Sequence, residues 1–230
     1  EDYNGDDSFT FNVSDGEYSA TENVTLTITS VNDAPVLASV SDVSFNEDGS
    51  GSLSLSSSDV DDGDSATFSI TGGSDITATL GEDGSTVSFS APANYNGSES
   101  FTASVTDSGD LSDSQSFTVT VIAVNDPPTA DAASGTTDED QGIVITLTGD
   151  DIDGDNLTFS LGNNPSNGSV TLDGTLATYT PNEDYNGDDS FTFNVSDGEF
   201  IDTATVSITV NTINDAPVLE DFSDVEFNED

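Results

Sequence analysis

The chain of 230 residues has no Lys, no Arg, no His, no Cys, no Met and no Trp. Each absence removes a class of function. Without Lys or Arg nothing can clamp phosphate, so nucleic acid and anionic membrane surfaces are excluded as direct partners. Without His or Cys the usual zinc, haem and iron–sulfur sites are excluded. Ser-His-Asp and Cys-His nucleophiles go with them, as do Schiff-base and phosphate-loop lysines. No disulfide can form. No apolar run approaches the ~20 residues that span a bilayer, so direct membrane insertion is not expected. No signal-peptide pattern is visible at residue 1.

What is present is charge of one sign. The 46 Asp and Glu give a formal charge of −46, or 46/230 = 0.20 per residue. Together with 32% hydrophobic residues, this is the composition of a disordered chain. The apolar residues, however, are patterned. They alternate in Phe9, Phe11, Val13, in Phe101, Ala103, Val105 and in Phe117, Val119, Val121. The same alternation runs through Ile143, Ile145, Leu147, through Leu157, Phe159, Leu161 and through Val206, Ile208, Val210. A period of two over so many segments predicts half-buried β-strands, and Ser and Thr at the intervening positions suit a solvated sheet face. No segment shows a 3.6 period. The two readings are reconciled by a β fold that is stable once its carboxylates are neutralised.

Internal repeats organise the chain. Residues 1–17 and 183–199 are identical, EDYNGDDSFTFNVSDGE. Tyr-Asn-Gly steps start at Tyr3, Tyr95 and Tyr185, 92 and 90 residues apart, and Asn-Asp-x-Pro steps at Asn32, Asn125 and Asn214, 93 and 89 apart. Glu47, Glu139 and Glu229 each sit in an Asn/Asp-Glu-Asp triplet. The period of about 90 residues is one sandwich-sized domain. Residues 1–30 are expected to be the C-terminal part of a repeat, 31–123 and 124–212 two whole repeats, and 213–230 the start of the next, as in a window on a longer tandem array. Seven strands are predicted per repeat: near 36–46, 51–57, 65–71, 75–81, 85–91, 98–106 and 114–123 in the first, and near 129–137, 142–149, 156–162, 168–173, 175–180, 189–196 and 202–211 in the second. The fold class expected is all-β, as tandem Ig-like Greek-key sandwiches. Pro35, Pro127, Pro128 and Pro217 stiffen the connections, which favours a rod of neighbouring repeats.

The acidic residues cluster. Asp59-Val60-Asp61-Asp62-Gly63-Asp64 and Asp151-Ile152-Asp153-Gly154-Asp155-Asn156 recur 92 residues apart. In an extended segment an Asp-x-Asp pair points both carboxylates one way, and their repulsion of roughly 1 kcal/mol has no cationic side chain to offset it. A hard divalent cation takes six to eight such oxygens, so calcium is the cofactor these runs predict. An EF-hand is not the arrangement: its twelfth position, a glutamate, would fall on Ile70 or Gly162. The plain alternative is a solvated turn, since Asp and Gly favour turns in any case.

Together these features resemble the cadherin repeat, in the divergent form found in tandem arrays of giant bacterial surface adhesins. The resemblance covers essentially the whole chain. It implies calcium between repeats, held by both neighbours and the linker. Glu47 and Glu139 match the glutamate ending the family's first strand. Asn32-Asp33, Asn125-Asp126 and Asn214-Asp215 match its linker, Asp59/Asp61 and Asp151/Asp153 its Asp-x-Asp, and Asp107, Asp15 and Asp197 its later aspartate. Where the family has Asp-Arg-Glu, this chain has Asp2-Tyr3-Asn4, Asn94-Tyr95-Asn96 and Asp184-Tyr185-Asn186, in which neutral amides replace some charge. Its first linker aspartate is Ser30, Ala123 or Thr212. One to three ions per junction are implied. The junction at 31–35 would use Asp2, Asn4, Asn32, Asp33, Asp59, Asp61 and Asp107. The junction at 124–128 would use Glu47, Asn94, Asn96, Asn125, Asp126, Asp151, Asp153 and Asp197.

The expected function is a calcium-rigidified extracellular stalk or spacer of a large bacterial adhesin or biofilm-matrix protein, placed at the cell surface. The partners are then the neighbouring repeats of the same chain. A second reading has copies associating through calcium into a surface filament or sheath. No ligand site is recognisable in either repeat, so the adhesive target is not named by the sequence. No catalytic residue is expected. The repeated tyrosines read as core or corner residues rather than a sugar-stacking set.

Overall fold

A computed structural model of the chain describes residues 3–61, 63, 65–217 and 226. Asp2, Asp62, Asp64 and Glu229 lie outside them. Among the described residues the secondary structure is entirely β, and no helix is long and apolar enough to cross a membrane. The chain divides into two units, Glu1–Val124 and Asn125–Asp230.

The first unit opens with a hairpin of β1 (Gly5–Ser14) and β2 (Ser19–Ile28). A sandwich follows, made of β3 (Val36–Leu37), β4 (Val43–Asn46), β5 (Gly51–Ser54), β6 (Ser57–Ser58), β7 (Thr67–Gly72), β8 (Thr77–Leu80), β9 (Thr86–Ser90), β10 (Gly97–Thr106) and β11 (Ser112–Ile122). One sheet has the order β4-β11-β10-β7, the other β5-β9-β8, and β3 pairs with β6. The alternation in the sequence becomes burial: Phe101, Ala103 and Val105 of β10 and Phe117, Val119 and Val121 of β11 face inward. Phe89 of β9 meets Phe101 edge-on, with ring centroids 5.5 Å apart, so aromatic rings join the two sheets.

The second unit repeats this plan. Its strands are β12 (Thr129–Ala130), β13 (Ala133–Asp138), β14 (Ile143–Thr146), β15 (Gly149–Asp150), β16 (Thr158–Leu161), β17 (Gly168–Asp173), β18 (Leu176–Pro181), β19 (Gly187–Ser196) and β20 (Ile201–Asn211). The sheets run β13-β20-β19-β16 and β14-β18-β17, with β12 paired to β15. Phe191, Phe193 and Val195 of β19 and Ala204, Val206, Ile208 and Val210 of β20 form the core with Tyr179.

The first two predicted strands of each repeat are each broken in two. Within 36–46, β3 pairs antiparallel with β6, and β4 crosses over to pair parallel with β11. Side chains of β11 satisfy the backbone of the gap. Asp113 accepts from Leu37 N at 2.9 Å, and the Gln115 amide accepts from Val40 N at 3.1 Å and donates to Leu37 O at 2.9 Å. Asp202 does the same for Ala130 N at 2.8 Å in the second unit. A polar side chain can thus end a ladder that hydrophobic alternation alone would continue.

The tyrosines before Asn-Gly are corner residues. Tyr95 and Tyr185 pack against their cores. The Tyr185 hydroxyl donates to Asp188 O at 2.7 Å, and that of Tyr3 to Asp6 O at 3.3 Å.

Candidate metal centre

At the N-terminal end of each sandwich, linker, turn and hairpin residues meet in one pattern. In the first unit Asn32 Nδ2 donates to Asp107 Oδ2 at 2.9 Å, Asp33 N to Asp61 Oδ2 at 2.7 Å, and Asp61 N to Asp59 Oδ1 at 2.9 Å. In the second, Asn125 Nδ2 donates to Asp197 Oδ2 at 2.9 Å, Asp126 N to Asp153 Oδ2 at 2.7 Å, and Asp153 N to Asp151 Oδ1 at 2.9 Å. The other oxygen of each leading aspartate, Asp59 Oδ2 and Asp151 Oδ2, is buried with no hydrogen-bond partner among the described residues. In the first unit Asn4 and Tyr3 line the same open depression of about 290 Å³ as Asp33 and Asp61.

Charge is managed locally. Burial pushes Asp107 and Asp197 up. The amide of Asn32 or Asn125, with turn N–H groups, outweighs that push and holds both carboxyls below the usual range. Gly109 is fixed by this packing, because a Cβ there would lie 2.5 Å from Asn32 Nδ2.

The opposite end of each sandwich carries a second acidic group. Glu47 is only 6% exposed and Glu139 only 5%. One carboxylate oxygen of each accepts a backbone N–H, from Val124 or Ile213. The other oxygen of Glu47 is buried without a partner among the described residues, whereas that of Glu139 accepts from Asn186 Nδ2 at 3.2 Å. The next residue, Asp48 or Asp140, accepts from the backbone N of Asn94 at 3.2 Å or of Asp184 at 3.1 Å. In the second unit carboxylate oxygens of Asp140, Asp184 and Asp215 lie within 4.8 Å of one another. Burial and the charges of Asp184, Glu139 and Asp140 push the Asp215 carboxyl up. Asn214 turns its amide onto Asp215 O at 3.2 Å, and Asn96 is an exposed residue leading into β10.

Of the residues expected as ligands, the first unit thus joins Asn32, Asp33, Asp59, Asp61 and Asp107 at one end and Glu47 and Asn94 at the other. The second joins Asn125, Asp126, Asp151, Asp153 and Asp197, and separately Glu139, Asp184, Asn186 and Asp215. Sequence reasoning passed over Asp48 and Asp140, and took Asp155 as part of its acidic run without assigning it as a ligand. Asp155 lies in a group with Asp151 and Asp153 whose oxygens are also within 4.8 Å. The available signal was the residue after the repeated glutamate and the third aspartate of the Asp-x-Asp run.

The donors fit calcium. All are oxygens, most of them carboxylate, as a hard cation requires. A buried carboxylate oxygen with no donor is costly to leave unsatisfied, and a chain without Lys, Arg or His has no cationic side chain to offer it. Asp59, Asp151 and Glu47 each present one such atom, and a divalent ion would satisfy it.

Two spans, residues 32–120 and 125–209, match the bacterial Ig domain. The chain belongs to this family. Its bacterial Ig domains are also cadherin-like in fold. The chain matches mouse cadherin-23 EC22-24 with a TM-score of 0.55 at 20% identity, covering 90% of this chain and 74% of that one. It matches the protocadherin GammaB4 extracellular domain at 0.50 and 15%, covering 90% and 38%. An endo-fucoidan hydrolase of glycoside hydrolase family 107 matches at 0.35 and 22%, over 92% of this chain and 35% of that one. The bacterial Ig chain therefore spans about a third of that hydrolase's length. No curated protein matches it.

Proposed function

We propose that this segment is a calcium-rigidified extracellular spacer of a large bacterial surface or matrix protein, with one to three ions at each linker. The observation that carries this is the pattern repeated bond for bond at Asn32/Asp33/Asp59/Asp61/Asp107 and Asn125/Asp126/Asp151/Asp153/Asp197. Each copy leaves one buried aspartate oxygen unclaimed. Calcium there would tie the linker to the Asp-x-Asp turn and the hairpin aspartate. An ion bound only by the folded chain stabilises it by linkage, by about 2.7 kcal/mol at a hundredfold excess over Kd. Family membership supports the extracellular placement, and the high acidity suits surroundings where calcium and salt are abundant.

Thermal unfolding by circular dichroism, with EDTA and with millimolar calcium, tests this. Calcium should raise the midpoint by several degrees. Asp151→Ala with Asp153→Ala should lose most of that gain in the second unit and leave the first unit's gain in place. Equal midpoints in EDTA and calcium would defeat the reading.

A further inference from the structure

The chain has four Asn-Gly steps, and three of them occupy one place in the fold. Asn4-Gly5, Asn96-Gly97 and Asn186-Gly187 lead into β1, β10 and β19. The backbone there calls for glycine: φ is +126° at Gly5, +153° at Gly97 and +126° at Gly187, a region that residues with a Cβ avoid. Glycine after asparagine carries a chemical liability. Its bare backbone lets the glycine nitrogen approach the asparagine side-chain carbonyl.

The two sandwiches treat this step differently. In the second, Asn186 Nδ2 donates to Glu139 Oε2 at 3.2 Å, which ties the amide to a buried carboxylate. In the first, the corresponding oxygen, Glu47 Oε2, is buried with no partner among the described residues, and the Asn96 side chain is exposed. The fourth step, Asn167-Gly168, is held by its backbone. Asn167 N donates to Asp189 Oδ2 at 2.9 Å, and Asn167 O accepts from Asn182 N at 2.8 Å. A Cβ on Gly168 would lie 2.6 Å from the Tyr179 ring, so that turn is packed as well as bonded.

We propose that Asn96 is a site of spontaneous deamidation, and that the bond to Glu139 protects the equivalent Asn186. The Gly97 nitrogen loses its proton to solvent and bonds to Asn96 Cγ. The Cγ–Nδ2 bond breaks, and Nδ2 takes a proton from water and leaves as ammonia. Water then opens the five-membered imide at either carbonyl, which yields aspartate or isoaspartate. Both products place a new carboxylate at the entry to β10. Isoaspartate also adds a backbone atom just before the Gly97–Val121 pair. None of this depends on the calcium reading.

Incubation of the full chain in warm, mildly alkaline buffer tests this, with circular dichroism confirming that it stays folded. Trypsin has no Lys or Arg to cut at. Chymotrypsin cuts after Tyr95 and Phe101, and after Tyr185 and Phe191. The peptide from Asn186 has the same sequence as that from Asn4, so Asn4→Gln is introduced to separate the two by mass. Liquid chromatography with mass spectrometry should show aspartate and isoaspartate accumulating about tenfold faster at Asn96 than at Asn186, a factor that one hydrogen bond to a carboxylate supports. In urea the two rates should converge. If the folded chain loses Asn186 as fast as Asn96, or keeps Asn96 intact over a time in which the urea-unfolded chain loses it, the proposal falls.

Discussion

One stretch of sequence occurs twice in this molecule and meets two environments. Residues 1–17 and 183–199 are identical. Both begin a hairpin in the same register, with Phe9 opposite Val24 and Phe191 opposite Val206. Yet Phe9 and Phe11 are 52% and 50% exposed, whereas Phe191 and Phe193 are 1% and 0% exposed. Alternation therefore specifies strand, turn and register locally. Burial comes from the rest of the repeat, which surrounds β19–β20 with β13, β16 and the opposite sheet.

The largest effect expected from this contrast is on packing. Phe193→Ala should destabilise the second unit by about 3–5 kcal/mol, as removal of a fully buried ring does. In a protein of these 230 residues alone, Phe11→Ala, the same residue in the first copy, should cost under about 0.5 kcal/mol. Urea denaturation of the two variants checks this, and equal costs would break the comparison.

A middle-sized difference is expected at the hairpin turn. Among the described residues Asp15 accepts from its own turn, Glu17 N and Tyr18 N. Asp197 makes the matching turn bonds and also accepts from the linker amide of Asn125. Asp197→Ala should lower the melting midpoint of the second unit, because it removes the acceptor of the Asn125 amide and of the turn N–H groups. It should also reduce calcium stabilisation of the second unit, whereas Asp15→Ala should leave that stabilisation unchanged. Thermal melts in calcium and in EDTA separate the two.

The smallest difference concerns pH. Among the described residues Asp7 accepts from Ser8 N, whereas its counterpart Asp189 accepts from Ser166 N, Asn167 N, Ser190 N and the Tyr179 hydroxyl. Burial pushes the Asp189 carboxyl up, but these donors outweigh it and hold it below the usual range. A depressed carboxyl stabilises the fold above its unfolded value, about 3.9, and loses that contribution as pH falls through the folded value. The stability gap between wild type and Asp189→Asn should thus be constant from pH 7 to 5 and close below pH 4.

The same contrast shows what the sequence made legible. Phe101, Ala103 and Val105 could be placed on the buried face because alternation encodes which face is apolar. The Asp-x-Asp runs and Asn-Asp linkers stood out because they recur at a fixed period. The crossover from β3 to β4 was hidden, since it depends on Asp113 and Gln115 reaching the backbone of residues distant in sequence. The loop clamps were hidden for the same reason. Glu99 gathers Ser74 N, Asp75 N and Ile76 N, much as Asp189 gathers its loop, and both look like surface acids in an alternating strand. Asp48 and Asp140 escaped notice because their role follows from a positive φ, which Asn and Asp tolerate but do not announce.

The central claim is that the buried, unclaimed aspartate oxygens at the linkers belong to calcium. Equilibrium dialysis against calcium, on the wild-type chain and on Asp59→Asn combined with Asp151→Asn, addresses it directly. The account predicts that the wild type retains at least one ion per linker and that the double variant loses at least two of them. A wild type that retains none, or a double variant that retains them all, would contradict it.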